Sequence, residues 1–282
     1  MVAAVAFFLP VADGQRFCLY HAPMQAGGGG PKGLVVYVHP FAEEMNKSRR
    51  MATQQARALA QAGFAVLQID LLGCGDSSGD FGDATWAAWV ADVVRACQWL
   101  RERAGDGLPS VPPLWLWGLR MGCLLAVEAA QTVPPPCNFL FWSPASSGKQ
   151  LLQQFLRLKA ASDLASGNAK AVMEQLRADL AQGLCVEVAG YLLAPALCSG
   201  LERAALTPTA GPGRVEWLEL SSRDDATLSP VAQQGVAAWE RAGYAVRSQL
   251  VHGPSFWQTT ELEDAPALLA ATTAALLSRT AP

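Results

Sequence analysis

Apolar runs of strand length alternate along this chain with longer stretches whose apolar residues recur at helical spacing. The first two runs, 5–9 and 16–20, flank Asp13-Gly14, a turn signal that predicts an opening hairpin. Further strands are predicted at 34–38, 64–69, 114–117, 138–142, 215–220 and 244–251. Between them, 48–62 places Met51, Gln55, Leu59 and Ala62 on one side of a helix that Gly63 ends. The clearest amphipathic pattern is 85–103, with Trp86, Trp89, Val93, Cys97 and Leu100 in register. Helices are also expected over 121–131, 230–242 and 266–278. Alternation of this kind implies a mostly parallel sheet, here of eight strands, covered by helices on both faces.

The pattern breaks down between Ser143 and Gly213. That stretch reads as helices at 150–160 and 169–180 joined by apolar connections, with Pro208, Gly211 and Pro212 near its end. The expected organisation is therefore a core of 1–143 and 214–282, with 144–213 inserted as a small helical cap. The glycine-rich segment 25–33 reads as a surface loop, because no helix follows it to cradle a phosphate.

Composition narrows the classes. With 282 residues, 51% of them hydrophobic and 16% charged, the chain can bury one large α/β core. A net charge of -3 gives no reason to expect nucleic acid or an anionic membrane as partner. Seven cysteines lie at irregular spacings with no C-x-x-C pair, so neither a metal nor a cofactor is predicted, and a reducing compartment is the simplest setting. The opening MVAAVAFFLP lacks a basic flank and stops at Pro10, so it reads as a first strand. Without an apolar stretch of membrane-crossing length elsewhere, the chain is expected to be cytoplasmic and not membrane-spanning.

In a parallel sheet, chemistry collects in the loops leaving the carboxyl ends of the strands. Four such loops carry polar residues here: His39-Pro40-Phe41-Ala42-Glu43-Glu44, the segment Asp70 to Gly79, Gly118-Leu119-Arg120-Met121-Gly122, and the late pair Arg223-Asp224-Asp225 and His252-Gly253. In this order they resemble the α/β-hydrolase superfamily, whose nucleophile, acid and histidine follow one another along the chain. More closely, "HPFAEEMNKSRR", "DLLGCGDSSGDFGDATW", "GLRMGCLLA" and "GPSFWQT" resemble the hydrolase 2 family associated with the exosortase A system, a bacterial group linked to surface-protein sorting and exopolysaccharide loci. The resemblance implies an α/β-hydrolase fold and a hydrolase acting on an ester, thioester or related acyl bond. It supplies no substrate.

One position departs from the superfamily pattern. The G-x-S-x-G turn carries Arg120 where the nucleophilic serine belongs. A guanidinium has donors but no lone pair to attack with. It can anchor a carboxylate or phosphate, or fold back onto Glu43, Glu44, Asp224 or Asp225, and the abundance of acids favours the salt bridge. The fold would place oxyanion donors at the amides of Phe41 and Met121. His252 stands where a triad histidine belongs, with Asp224 or Asp225 to orient it, Asp225 fitting slightly better. His39 is expected to shape its loop by hydrogen bonding, and His21 to be structural. Substitute nucleophiles among Cys74, Ser77, Cys123 and Ser143 favour Ser143 by location, and Glu43 or Glu44 offers activation of a water instead. The alternative is an inactive binding or accessory protein of the same fold. Either way the expected partner is a small acyl or anionic molecule.

Overall fold

The computed structural model describes residues 4–24, 30–104, 111–162, 169–209 and 211–278. The N-terminal residues before Ala4, most of the glycine-rich loop and the end of the chain lie outside them.

Among the described residues, ten strands and eight helices follow in the order β1 (Ala4–Val11), β2 (Gly14–His21), β3 (Leu34–Val38), α1 (Glu43–Gln61), β4 (Ala65–Ile69), α2 (Trp86–Ala104), β5 (Leu114–Leu119), α3 (Met121–Ala130), β6 (Cys137–Trp142), α4 (Gly148–Ser162), α5 (Ala169–Ala181), β7 (Val186–Val188), β8 (Tyr191–Leu193), α6 (Pro195–Arg203), β9 (Arg214–Ser221), α7 (Pro230–Arg241), β10 (Ala245–His252) and α8 (Pro266–Leu277). Eight strands form one sheet in the order β1-β2-β4-β3-β5-β6-β9-β10. The β1–β2 and β2–β4 pairs are antiparallel and every other pair in it is parallel. This is the α/β-hydrolase fold, with helices on both faces.

The central strands β3, β5 and β6 are buried at every position, which is why each reads as a nearly continuous apolar run. Their side chains still alternate. Val36, Leu116, Phe139 and Phe141 face a core completed by Trp89, Val93, Leu124 and Trp239. Tyr37, Trp115, Trp117 and Trp142 face the other, with Met51, Leu59, Phe256 and Leu268. Among the described residues, no helix is long and apolar enough to cross a membrane.

The loop after β4 is held from below. Arg16 on β2 and Asp92 on α2 form an ion pair at 2.8 Å whose side chains are 1% and 4% exposed. The other oxygen of Asp92 accepts the amide of Leu72, and Trp89 Nε1 donates to the Leu72 carbonyl. Burial works against the Arg16 charge, but Asp92 and Asp13 hold it above its ordinary value. The Asp92 carboxyl is itself raised by burial despite Arg16. Both directions describe one desolvated pair, tied further to the loop by backbone.

Three differences from the sequence reading stand out. Helix α1 begins at Glu43 rather than near residue 48, so Glu43 and Glu44 occupy a first helical turn and not a loop. Between β6 and β9, the antiparallel pair β7–β8 and helix α6 join α4 and α5. A short 3-10 turn, Phe81–Asp83, also went unpredicted.

Candidate active site

Two strands enter helices through matching strained turns. Arg120, between β5 and α3, has φ 54° and ψ -115°, while Ala42, before α1, has φ 49° and ψ -126°. Such backbone is costly for a non-glycine residue and persists when the surroundings impose it. The surroundings are visible at the elbow. A Cβ on Gly118 would stand 2.5 Å from the backbone nitrogen of Cys123, and one on Gly122 would run into the carbonyl oxygen of Val38. The elbow is also tied down, since the Arg120 amide donates to the Trp142 carbonyl and its own carbonyl accepts from Cys123 and Ala145. Gly122→Ala is expected to cost roughly 2–3 kcal/mol in chemical denaturation; unchanged stability would show that the α3–β3 approach is looser than drawn.

Arg120 projects into a cavity of about 350 Å³ lined by Phe41, Glu43, Glu44, Lys47, Arg120, Leu151, Gln154, Phe155, Leu158, Trp257 and Gln258. Its polar end holds Arg120 and Glu44. Its apolar end is built by Phe41 and the inward side of α4, with the rings of Phe41 and Phe155 5.0 Å apart edge to face. The guanidinium carbon lies 5.8 Å from the Trp257 ring centroid.

The internal partner of Arg120 is Glu44, not Asp224 or Asp225. Nε to Oε1 is 3.5 Å, a long contact for an ion pair. Both Arg120 Nε and Glu44 Oε2 are buried without a hydrogen-bond partner among the described residues. Burial pushes the Glu44 carboxyl up, against the pull of Arg120. Glu43 turns the other way, accepting from Tyr191 Oη at 3.1 Å and Asn46 Nδ2 at 3.3 Å, and so links α1 to β8.

The remaining predicted residues scatter. His252 ends β10, and its Nδ1 stands 3.2 Å from Asp224, yet the two side chains are 65% and 98% exposed. They meet on the surface, where His252 lines a different hollow beside Glu263 and Asp264 and is absent from the lining of the Arg120 cavity. Asp225 is corrected as the histidine's partner: the Arg223 guanidinium, two residues upstream, takes both its oxygens at 3.2 and 3.1 Å. His39 and Ser143 do not line the cavity either. His39 donates from Nδ1 to the Pro40 carbonyl and accepts the Leu71 amide at Nε2, which fixes a neutral tautomer, and burial lowers its pKa. Ser143 has φ 40°, and its Oγ accepts from the Leu220 amide at 3.2 Å. Ser77 Oγ donates to the Asp70 carbonyl. The thiols of Cys74 and Cys123 are buried, with pKa values raised by desolvation. Thus no serine, threonine, cysteine or histidine lines the cavity among the described residues.

Phe41 and Met121 belong to the two strained turns; the Phe41 ring lines the cavity, whereas the Met121 side chain is buried away from it, leaving the main chain as its contribution. The contributions of Trp257 and Gln258 were not anticipated. The signal for them is their place in the loop after the last strand, five and six residues beyond His252.

The family model for serine aminopeptidase, S33, matches residues 29–188, more than half of the chain. Human Protein ABHD12B is 30% identical over 122 residues, which are 43% of this chain and 30% of that protein, so the chain spans under a third of this relative's length. Among solved structures, Est1E from Butyrivibrio proteoclasticus with bound ferulic acid superposes with a TM-score of 0.64 at 15% identity, covering 96% of this chain and 98% of that one. A soluble variant of monoglyceride lipase from Saccharomyces cerevisiae, in complex with a substrate analog, gives 0.59 at 13% identity over 98% and 96%. At such identities the two structures speak for the fold.

Proposed function

We infer this chain's role from its kinship: it belongs to the serine aminopeptidase S33 family of α/β-hydrolases. We propose that the hydrolase pocket here binds the carboxylate of an amphiphilic acyl molecule. Arg120 holds the head, and Phe41, Leu151, Phe155 and Leu158 take the apolar tail beneath residues 144–213, acting as a cap. One observation carries the reading: a strained elbow presents a cation, not a nucleophile, into a cavity whose lining, among the described residues, holds no hydroxyl, thiol or imidazole to replace it. A planar guanidinium matches a carboxylate with two parallel hydrogen bonds, and a partly desolvated site strengthens them.

A second reading keeps hydrolysis. The raised carboxyl of Glu44, which lines the cavity, suits a base that activates water against an acyl carbonyl held by the Phe41 and Met121 amides. The His252–Asp224 pair plays no part in either chemistry. On the resemblance to the exosortase-associated hydrolase 2 family, the ligand is proposed to arise in a bacterial surface-sorting or exopolysaccharide setting, with the protein in the cytoplasm.

The test uses a fluorophosphonate probe, decanoate and an acyl-ester panel. The binding reading expects no labelled serine, saturable decanoate binding, and much weaker binding of decanol. Strong labelling at any serine would sink it. Ester turnover that disappears in Glu44→Gln would establish the second reading instead.

A further inference from the structure

The Arg120–Glu44 contact is a stretched ion pair that leaves one buried atom of each partner without a hydrogen bond. Nε and Oε1 stand 3.5 Å apart, and Nε and Oε2 are sealed from solvent with nothing bonded to them. Two atoms that have lost water and gained no hydrogen bond hold the pair below its best arrangement. A ligand carboxylate approaching from the cavity, free to align with the guanidinium plane, offers the geometry that Glu44 does not reach from α1.

We propose that the two carboxylates exchange at Arg120: the ligand takes the guanidinium, and Glu44, displaced from it, takes up one proton from solvent. The inference rests on the carboxylate-binding reading above and adds a coupling to it. Its reason is local charge balance. Arg120 on the elbow, Lys47 on the same helix and Gln258 of the loop after β10 act on Glu44 directly, and Glu43, Gln154 of α4 and Trp257 share its cavity wall. Glu43 is engaged by Tyr191 and Asn46. Without a proton, ligand binding would set two carboxylates on one guanidinium, with Lys47 as the other cation on the cavity wall. Like charges in a desolvated site drive one of the pair to its neutral form. Burial already biases Glu44 that way, and losing Arg120 removes the interaction that opposes it. No bond is made or broken besides the O–H on Glu44.

The sign follows. Each proton bound with the ligand makes affinity fall as pH rises through the range where free Glu44 is ionised, by up to about tenfold per pH unit. Calorimetric titration of the full chain with decanoate, in phosphate and in Tris at one pH, reads the proton directly, because the two buffers release protons with different heats. The expected result is uptake approaching one proton per decanoate bound. In Glu44→Gln, uptake should vanish and affinity should become flat between about pH 6 and 8. Heats independent of buffer, with a flat affinity profile in the native chain, would overturn the exchange while leaving carboxylate binding intact. Failure of decanoate to bind at all would overturn the binding reading and this inference with it. The native-chain measurement stands even if the variant folds poorly.

Discussion

Arg120→Ser is expected to weaken decanoate binding by about 100-fold, the scale for removing one partner of a buried, hydrogen-bonded charge pair. The fold should survive, because residue 120 owes its backbone to Gly118, Gly122 and the ties to Trp142 and Ala145 rather than to its own side chain. The same variant restores the letter of the G-x-S-x-G motif. It should nevertheless stay unlabelled by a fluorophosphonate, since a serine needs a base within hydrogen-bond reach and His252 lines another hollow. Calorimetry reads the first expectation and intact-mass spectrometry the second. Binding retained at native strength would remove Arg120 from the ligand's head group. Prompt labelling would show that His252 swings over the elbow.

The second large effect lies beneath the loop after β4. Asp92→Ala is expected to destabilise the chain by roughly 3–5 kcal/mol, because it strands the Arg16 charge in the core and frees the Leu72 amide. For a domain of this size that is a fall of roughly 10 °C in melting temperature. Replacing both partners with apolar residues, Arg16→Met with Asp92→Leu, should recover most of the loss, since no buried charge is left unpaired. A single variant that melts like the native chain would mean that Asp13, 2.8 Å from the same guanidinium, suffices for Arg16.

How much of this was legible beforehand depends on the element. The apolar runs at β3, β5 and β6 are visible because both faces of those strands are covered, and Asn138, the one polar break, sits at the start of β6 where its side chain bonds backbone of Leu114 and Arg214. The start of α1 was missed because its first turn, Glu43 and Glu44, is polar and breaks the apolar period, and the side chain of its cap residue Ala42 makes no hydrogen bond. Strands β7 and β8 have three residues each, too short for alternation to register, and Pro195 opening α6 resembles any turn proline. Arg120 announced itself as an exception to a motif. Its partner did not, because four acids were compatible with the sequence and only the packing of α1 against the elbow selects Glu44. Asp225 misled for a local reason, a competing arginine two residues away.

The two strained turns carry an implication for how this fold changes over time. At Arg120 and Ala42 the chain geometry is enforced by neighbours, so the identity of the residue displayed there is released from the work of folding. Residue 120 is in effect a socket: whatever side chain is fitted arrives at the same point, facing the same cavity, at similar cost in stability. A scaffold with such a socket can trade a reactive group for a gripping one in a single substitution. The binding cavity can then acquire a new vocation before the rest of the molecule has altered.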